Sequence, residues 1–323
     1  MGMRIGVGLR QYGRWGAEIA LQAKQAEIAL FDSVWVGDHI LSPLRVNSRY
    51  PYTDSGAVPW DPETEMYDAI VCASAVAAVT SRVTIGFGTL VLPLRQPVVL
   101  AKQLATLDRL SGGRVVLGAG AGWSRDEFAA LGTSFDDRFA VTSEWIQVLR
   151  ACWTGRPGAI QGQHYALSVE TASYPTPAGE LPIVMGGTSA RAMKLAARWA
   201  DGWYPLLPES QLDVRWLAPR WQQICTMASQ YGRDPASLVL TVYAAADLDV
   251  VCERLPDLVS AGVQEVVVGV DWDVPGAVAQ TGHRLHDAMN TLPAKDAGPL
   301  SASSTQLSLR RADEYRASTI HLC

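Results

Sequence analysis

Short apolar segments alternate with amphipathic segments along most of this chain. Val83–Val91 combines β-branched residues with glycine, a pattern typical of a parallel strand that is buried on both faces. Pro97 fits the first turn of a helix, and apolar residues follow it at helical spacing until Ser111–Gly113 end the helix. Arg114–Gly118 then predicts a second buried strand. Together these segments predict a strand–helix–strand unit whose two strands are parallel.

The same alternation predicts eight strands, each followed by a helix. The strands are expected at Arg4–Leu9, Ser33–Gly37, Val83–Val91, Arg114–Gly118, Pro182–Met185, Gly202–Leu206, Leu238–Ala244 and Val263–Val270. Eight such units in one domain are typical of a (β/α)8 TIM barrel, whereas a doubly wound open sheet would have fewer strands and a reversal in strand order. We therefore predict an α/β TIM barrel over residues 1–292, with residues 293–323 as a loosely held tail.

Two long segments interrupt this pattern. Residues 41–62 form a predicted loop that is rich in Pro, Ser, Tyr and Asp. A loop of this length in a compact fold is typically a lid or a binding loop. Residues 155–179, before the fifth strand, form a polar insertion in which we expect a hairpin around His164–Leu167.

The composition excludes several classes of protein. Of the 323 residues, 48 % are hydrophobic and 18 % are charged, which provides an ample core. The net charge of −5, with no basic stripe, argues against a nucleic-acid-binding surface. The longest apolar runs are well short of the ~20 residues that cross a membrane, and Met1–Arg14 lacks the apolar core of a secretory signal. The five cysteines are scattered, so we expect reduced thiols, a cytoplasmic location and no metal site.

Candidate functional residues follow from the predicted architecture. In TIM-barrel enzymes the active site lies at the carboxyl ends of the strands. This criterion selects Asp38–His39, Gly88–Val91, Gly118–Trp123, Gly186–Arg191 and Asp271–Trp272. The chain contains no Gly-x-Ser-x-Gly nucleophile elbow, so these residues do not describe a hydrolase.

Gly186–Ser189 connects the fifth predicted strand directly to a helix predicted over Ala190–Trp199. Successive backbone N–H groups, small side chains and a helix N-terminus form an anion site, to which Arg191 adds a positive charge. A tight turn with Thr188 or Ser189 as the helix N-cap explains the same residues, and the two interpretations are compatible. No Gly-Lys-Ser/Thr is present, so the segment is not a P-loop. We predict that it binds phosphate.

The glycines at the end of the fourth predicted strand resemble a dinucleotide-binding fingerprint only in part. Gly118, Gly120 and Gly122 are followed by Trp123, so the third glycine comes one residue too early for Gly-x-Gly-x-x-Gly. We expect instead that the backbone of these small residues lies close beneath a flat ring.

Asp38 and His39 form a carboxylate–imidazole pair at a predicted strand end. Because neighbours on a strand point to opposite faces, we do not expect the two side chains to bond each other. His39 is suited to donate a proton near neutral pH, although a hydrogen-bonded structural histidine at the barrel rim fits equally well. His283 and His286 are three residues apart on the last predicted helix but lack a third metal ligand, so a solvated helix face is the better interpretation.

These segments carry a resemblance to a known family. The chain resembles the luciferase-like monooxygenase superfamily, and within it the oxidoreductases that depend on coenzyme F420, an 8-hydroxy-5-deazaflavin. The resemblance runs from about residue 4 to 292, and its specific part is PVVLAKQLATLDRLSGGR, at residues 97–114. FDSVWVGDHI at residues 31–40 and GGTSARAMKLAARWADGW at residues 186–203 continue it.

The resemblance implies a TIM barrel with an insertion and a deazaflavin ring that lies across the barrel mouth. It places the ring on Thr89, Leu90 and Val91, with a non-prolyl cis peptide between Leu90 and Val91. Ala121, Gly122 and Trp123 are then expected beside the ring.

The resemblance also assigns the remaining site residues. It places the cofactor phosphate near Gly186, Gly187, Thr188, Ser189 and Arg191. Asp38 and His39 match the family's pair after the second strand, with His39 facing the site. The implied reaction is hydride transfer between the deazaflavin and a small organic substrate, with His39 donating or orienting the proton.

One departure from the family and two rival functions bear on this assignment. Trp123 stands where some relatives carry a carboxylate proton donor, which disfavours a sugar-phosphate dehydrogenase of that type. An FMN-dependent monooxygenase would use the same strand-end glycines. A non-catalytic flavin or deazaflavin carrier is disfavoured by Tyr50, Tyr52 and Trp60, which suggest a lid over a substrate pocket. The resemblance also implies a homodimer.

Overall fold

The structure, a computed structural model, describes residues 2–53, 55–168 and 170–292. Its strands are β1 (Arg4–Gly8), β2 (Ser33–Val36), β3 (Thr84–Phe87), β4 (Leu90–Val91), β5 (Val115–Gly120), β6 (Ile160–Gln161), β7 (Ala166–Leu167), β8 (Ile183–Gly186), β9 (Gly202–Tyr204), β10 (Leu206–Pro208), β11 (Val239–Ala245) and β12 (Glu265–Val268). The predicted tail, residues 293–323, lies outside the described residues.

Helices follow most of the long strands, as the alternating pattern predicted. They are α1 (Arg14–Ala17), α2 (Ile19–Ile28), α3 (Ala69–Val79), α4 (Pro97–Ser111), α5 (Arg125–Ala130), α6 (Arg138–Trp153), α7 (Ala190–Trp199), α8 (Val214–Gln230), α9 (Leu248–Ser260) and α10 (Ala277–Asn290). None of these helices is long and apolar enough to cross a membrane.

The parallel strands close into a barrel of eight positions. The hydrogen-bonded order is β1-β2-β3-β5-β8-β9-β11-β12, and β12 pairs with β1. β4 takes the place of β3 beside the upper half of β5, and β10 takes the place of β9 beside β11. The predicted TIM barrel is therefore confirmed, and the open doubly wound sheet is excluded.

Two predicted strands are interrupted near their carboxyl ends. The strand expected over Val83–Val91 breaks at Gly88–Thr89, and the one expected over Gly202–Leu206 breaks at Pro205, which has no N–H to donate to a neighbouring strand. A non-prolyl cis peptide is present, but it joins Gly88 to Thr89. The expected position between Leu90 and Val91 was wrong, because Leu90 and Val91 form the regular strand β4 and the chain changes direction before it.

The two predicted irregular segments differ in structure. The insertion before the fifth barrel strand contains β6 and β7, which pair antiparallel, so the predicted hairpin is confirmed. The described residues of the segment between β2 and α3 form no helix or strand, apart from a single bridge between Tyr12 and Met66. This long loop crosses the carboxyl end of the barrel.

A buried carboxylate at the other end of the barrel joins α2 to the chain that enters β3. Glu27, which is 9 % exposed, accepts hydrogen bonds from the backbone N–H groups of Ser81 (2.8 Å), Arg82 (2.7 Å) and Val83 (3.3 Å). Burial alone would raise the pKa of Glu27, but these donors and Lys24 outweigh it and lower the pKa to about 2.

We predict that Glu27→Gln reduces the free energy of unfolding by about 2 kcal/mol at pH 7. Because the pKa of Glu27 falls from 4.5 to about 2 on folding, its contribution is complete above pH 4.5 and is lost as the pH falls toward 2. Urea unfolding of both proteins at pH 7 and pH 3 checks this, with Glu18→Gln, an exposed residue directly before the same helix, as the control. A difference that does not shrink at low pH would contradict the assignment.

Candidate active site

Asp38 follows β2 at the mouth of the barrel, and its carboxylate is enclosed by donors. Its Oδ2 accepts hydrogen bonds from the Val91 backbone N–H (2.8 Å) and Arg95 Nη1 (2.6 Å), while Oδ1 accepts one from Arg95 Nη2 (2.8 Å). Burial raises the pKa of Asp38, and the Arg95 guanidinium and the Val91 N–H oppose that shift. The side chain therefore ties the end of β2 to β4. This is a positioning role, and a direct part for Asp38 in catalysis stays a prediction.

His39 pairs with a different carboxylate, as expected for neighbours that point apart. Its Nδ1 lies 3.0 Å from Oε2 of Glu127, near the start of α5. Oε1 of Glu127 accepts the backbone N–H groups of Ile40 (2.8 Å) and Leu41 (3.2 Å), so the carboxylate itself is held in place. Because a carboxylate only accepts hydrogen bonds, the pairing places a proton on Nδ1 and leaves Nε2 as the atom that can exchange a proton with a ligand.

A second carboxylate of α5 holds the long loop. Asp126 accepts hydrogen bonds from the backbone N–H and side-chain amide of Asn47 and from the backbone N–H and hydroxyl of Ser48, at 2.8 to 3.2 Å. The Asn47 amide is the main reason that the pKa of Asp126 is lowered. The Arg125 backbone N–H donates in turn to the Ser48 hydroxyl (2.8 Å). One helix thus fixes the loop at residues 40–41 and again at residues 47–48.

Aromatic residues of this loop pack against the predicted site residues. The ring centroid of Trp60 lies 5.2 Å from that of His39, and the centroid of Tyr50 lies 5.0 Å from that of Trp123. Tyr50 and Trp60 are 5.3 Å apart, and His39 and Trp123 are 5.7 Å apart. One cavity bordered by His39, Trp60 and Trp123 has a volume of about 10 Å³. A cavity of this size is far too small for a three-ring cofactor, so this cavity by itself is not the cofactor site.

The glycines of β5 and β8 make room for neighbouring chain segments. A Cβ on Gly118 would lie 1.8 Å from the carbonyl oxygen of Phe87, and a Cβ on Gly120 would lie 2.3 Å from Oγ1 of Thr89. A Cβ on Gly186 would lie 2.4 Å from Cγ2 of Thr89. The expectation that the backbone of Gly118 and Gly120 lies directly beneath a ring was therefore wrong. The space beside these two glycines is occupied by Phe87 of β3 and by Thr89.

The other residues predicted to contact the ring form the wall around Thr89. Leu90, Val91 and Ala121 are buried, whereas Trp123 is half-buried and faces the lid. Gly122 adopts a φ of +84°, which a side chain would strain, at the point where the chain turns from β5 toward α5. Buried apolar residues beside a half-exposed aromatic residue suit one face of a planar ring.

A buried tyrosine that the sequence did not single out lies next to these wall residues. Tyr204 on β9 is 3 % exposed, and its ring stacks on Trp35 of β2 with centroids 4.4 Å apart. Its hydroxyl oxygen reaches the far side of the barrel, where a Cβ on Gly88 would lie 2.7 Å away. The hydroxyl is fully buried and has no hydrogen-bond partner within the described residues.

The predicted phosphate segment has the geometry of an anion site. Gly187 adopts a φ of +92° between β8 and α7, and Ser189 caps the helix by accepting the Ala192 backbone N–H (3.2 Å). The expected N-cap is thus confirmed at Ser189. The N–H groups of Ala190 and Arg191 have no carbonyl within the helix to bond, so they are available to a ligand at the barrel rim.

Two guanidinium groups, those of Arg191 in the first turn of this helix and Arg138 in α6, converge on the ring of Phe139. Arg138 lies over the ring of Phe139 (4.7 Å), and Arg191 approaches the same ring (5.7 Å). Burial and the nearby charges of Arg191 and Arg125 lower the pKa of Arg138. Positive charges gathered at the positive end of a helix dipole repel one another, and an anion placed among them relieves that repulsion.

Sequence reasoning placed His39, the wall residues and the anion segment around one opening, but it missed Arg95, Asp126, Glu127 and Tyr204. Glu127 and Asp126 did carry a signal, because acidic residues in the first turn of a helix that directly follows a strand end lie at the barrel mouth. Tyr204 had none, since its position follows from which side of β9 faces the barrel interior.

Comparison with known proteins agrees with this architecture. The model of the luciferase-like monooxygenase family matches residues 3–307. An uncharacterized protein of Mycobacterium tuberculosis is 35% identical over 181 residues, which cover 56% of this chain and 62% of the relative. An F420-dependent glucose-6-phosphate dehydrogenase of Amycolatopsis mediterranei is 35% identical over 184 residues, 56% of this chain and 50% of the relative. The chain thus spans only about half to two thirds of these relatives.

Solved structures share the fold at lower identity. An F420-dependent secondary alcohol dehydrogenase in complex with an F420–acetone adduct has a TM-score of 0.72 and 20% identity, with 90% of this chain and 99% of that chain covered. The oxygenating constituent of 3,6-diketocamphane monooxygenase from Pseudomonas putida, in complex with FMN, has a TM-score of 0.68 and 14% identity, with 91% and 99% covered. The chain, by its sequence and its barrel, belongs to the luciferase-like monooxygenase family.

Proposed function

We propose that this protein is an oxidoreductase that transfers a hydride between coenzyme F420 and a small organic substrate bound at the barrel mouth. The observation that carries the proposal is the position of His39. Its imidazole, held by Glu127 at 3.0 Å, lies at the same opening as the wall at residues 89–91 and 121–123. The identity with an F420-dependent relative supports the choice of cofactor.

The residues present fit a planar cofactor with a phosphate tail. Leu90, Val91 and Ala121 would back the ring, and the buried Tyr204 hydroxyl, which lacks a partner within the described residues, offers it a polar contact. The N-terminus of α7, together with Arg191, would hold the phosphate. When bound, the deazaflavin supplies the carbon that accepts or gives the hydride.

The chain's own side chains then have distinct tasks. His39 Nε2 would hold or deliver the proton that accompanies hydride transfer, while Glu127 fixes the ring orientation through Nδ1. Asp38 and Arg95 hold β4, which carries part of the wall. The lid residues Tyr50 and Trp60 would close over the bound substrate and exclude water from the proton transfer.

An FMN-dependent monooxygenase is the second candidate, and the shared fold of the FMN complex from Pseudomonas putida favours it. Titration of the purified apoprotein with F420 and with FMN, followed by absorbance, separates the two. Binding of F420 with turnover of a substrate panel supports the proposal. Selective binding of FMN would support the second candidate, and ring binding without any turnover would indicate a non-catalytic carrier.

We predict that His39→Ala lowers turnover by about 10²- to 10⁴-fold, the usual contribution of a proton-transferring side chain. The affinity for F420 should change far less, because other residues hold the ring and the phosphate. Steady-state rates and an F420 titration of the same preparation test this. An equal loss of turnover and of affinity would reduce His39 to a binding residue.

We predict that Glu127→Gln moves the proton of the neutral His39 ring from Nδ1 to Nε2. The amide can turn its NH2 group toward Nδ1 while its oxygen still accepts from Ile40 and Leu41, so the fold is kept. Imidazole ¹⁵N NMR reports the tautomer directly. Glu144→Gln is the matched control, since Glu144 accepts the backbone N–H groups of His164 and Tyr165 without bonding the His164 ring. An unchanged His39 tautomer would contradict the positioning role.

We predict that Arg191→Ala weakens F420 binding by about tenfold at low salt, because it removes a charge that would contact the phosphate. The deazaflavin riboside without its phosphate tail should bind both proteins equally. Arg198→Ala is the control, because Arg198 is an exposed arginine near the other end of the same helix. Equal weakening of the tailed and tail-less compounds would place the phosphate elsewhere.

A further inference from the structure

The Tyr204 hydroxyl is a polar group that the barrel interior leaves unsatisfied. Tyrosine hydroxyls that are removed from water are normally hydrogen-bonded, and one without a partner costs free energy that a ligand can recover. The atom is fully buried and has no partner among the described residues. Trp35, which stacks on the Tyr204 ring, uses its own N–H to donate to Ser33 (2.8 Å) and offers the hydroxyl no acceptor.

The hydroxyl lies between the barrel interior and the wall residues around Thr89. Tyr204 is level with Gly186 in the pairing of β8 and β9, and Thr89 fills the space over Gly186. The Tyr204 hydroxyl oxygen in turn lies beside Gly88, the residue that precedes Thr89. It therefore reaches the same corner of the mouth as the residues that are expected to carry the ring.

Two glycines at strand ends, which lack a Cβ, leave room for the hydroxyl groups of two tyrosines. A Cβ on Gly88 would lie 2.7 Å from the Tyr204 oxygen, and a Cβ on Gly8 would lie 3.0 Å from the oxygen of Tyr243. Burial, together with neighbouring Tyr243 and Glu265, raises the pKa of Tyr204 well above its ordinary value. The Tyr204 hydroxyl is consequently neutral at physiological pH and can donate a hydrogen bond to an acceptor oxygen.

We propose that the Tyr204 hydroxyl donates a hydrogen bond to a carbonyl oxygen of the cofactor ring. Flavins and deazaflavins share a pyrimidine ring with two carbonyl groups, so the assignment applies to either cofactor. It rests on the proposed function only in requiring that such a ring binds at this mouth. Tyr204 becomes a cofactor-binding residue, in addition to those that the sequence indicated.

The test is Tyr204→Phe, which removes the hydroxyl and keeps the ring that stacks on Trp35. Wild-type and variant proteins are titrated with F420 and with FMN in the absence of substrate. We expect affinity for the bound ring to fall by about three- to tenfold and its absorption maximum to shift, since carbonyl hydrogen bonds tune the ring spectrum. Thermal unfolding without cofactor should be unchanged, because no protein hydrogen bond is lost. Tyr231→Phe, at the end of α8, is the matched control.

Each other outcome is decisive. Equal affinity and an identical bound spectrum in Tyr204→Phe would overturn the inference and leave the hydroxyl to a buried water. Failure of the wild-type protein to bind either ring would overturn the proposed function and this inference with it. Should Tyr204→Phe not fold, 3,5-difluorotyrosine incorporated at position 204 keeps the shape and makes a stronger donor. It must then shift the bound spectrum relative to wild type, and an unchanged spectrum would overturn the inference.

Discussion

A carboxylate that is taken out of water must be surrounded by hydrogen-bond donors, and this requirement shapes the mouth of the barrel. Asp38 receives three donors from Arg95 and Val91, and Glu127 receives the backbone N–H groups of Ile40 and Leu41. In each case the donors come from a different chain segment than the carboxylate. The hydrogen bonds to each carboxylate therefore hold one loop at a strand end in a fixed position relative to another segment.

The two carboxylates act on complementary parts of the site. Asp38 secures β4, so it determines where the wall beside Thr89 stands. Glu127 secures the start of the lid and the ring of His39, so it determines which imidazole nitrogen is exposed to a ligand. A side chain suited to proton transfer and a surface suited to a planar ring are thereby held at a constant separation, which is the condition for efficient transfer between bound groups.

The fold was predictable because its signals are local and repeated. Alternating buried strands and amphipathic helices specify the barrel, and Ser189 and Pro97 mark helix starts by local chemistry. The errors came from contacts between strands. The sequence of one strand alone does not predict that the cis peptide lies at Gly88–Thr89. Nor does it predict that Thr89 occupies the space beside Gly120.

The site was predictable only to the level of strand ends. The criterion that selects His39 also selects Asp38, yet the two differ in role because Arg95, 57 residues along the chain, reaches only the latter. Tyr204 illustrates the same limit, since its partner Trp35 and its contact with Gly88 belong to strands on other sides of the barrel. Such long-range contacts are set by closure of the barrel and leave no trace in local sequence spacing.

The aromatic residues that the lid contacts, Trp123 and His39, are also residues proposed to contact the bound ligands. Tyr50 meets the ring of Trp123 edge to face, and Trp60 lies tilted against His39; such aromatic pairs contribute about 0.5–1.5 kcal/mol each. A planar cofactor bound beside Trp123 and His39, as proposed, would add an aromatic surface of similar kind beneath the lid. Ser124, directly after Trp123, is the N-cap of α5, and α5 carries the two carboxylates that hold the lid, Asp126 and Glu127. A ligand bound against Trp123 would therefore lie next to the helix that holds the lid, which would link occupancy of the proposed site to the position of the lid.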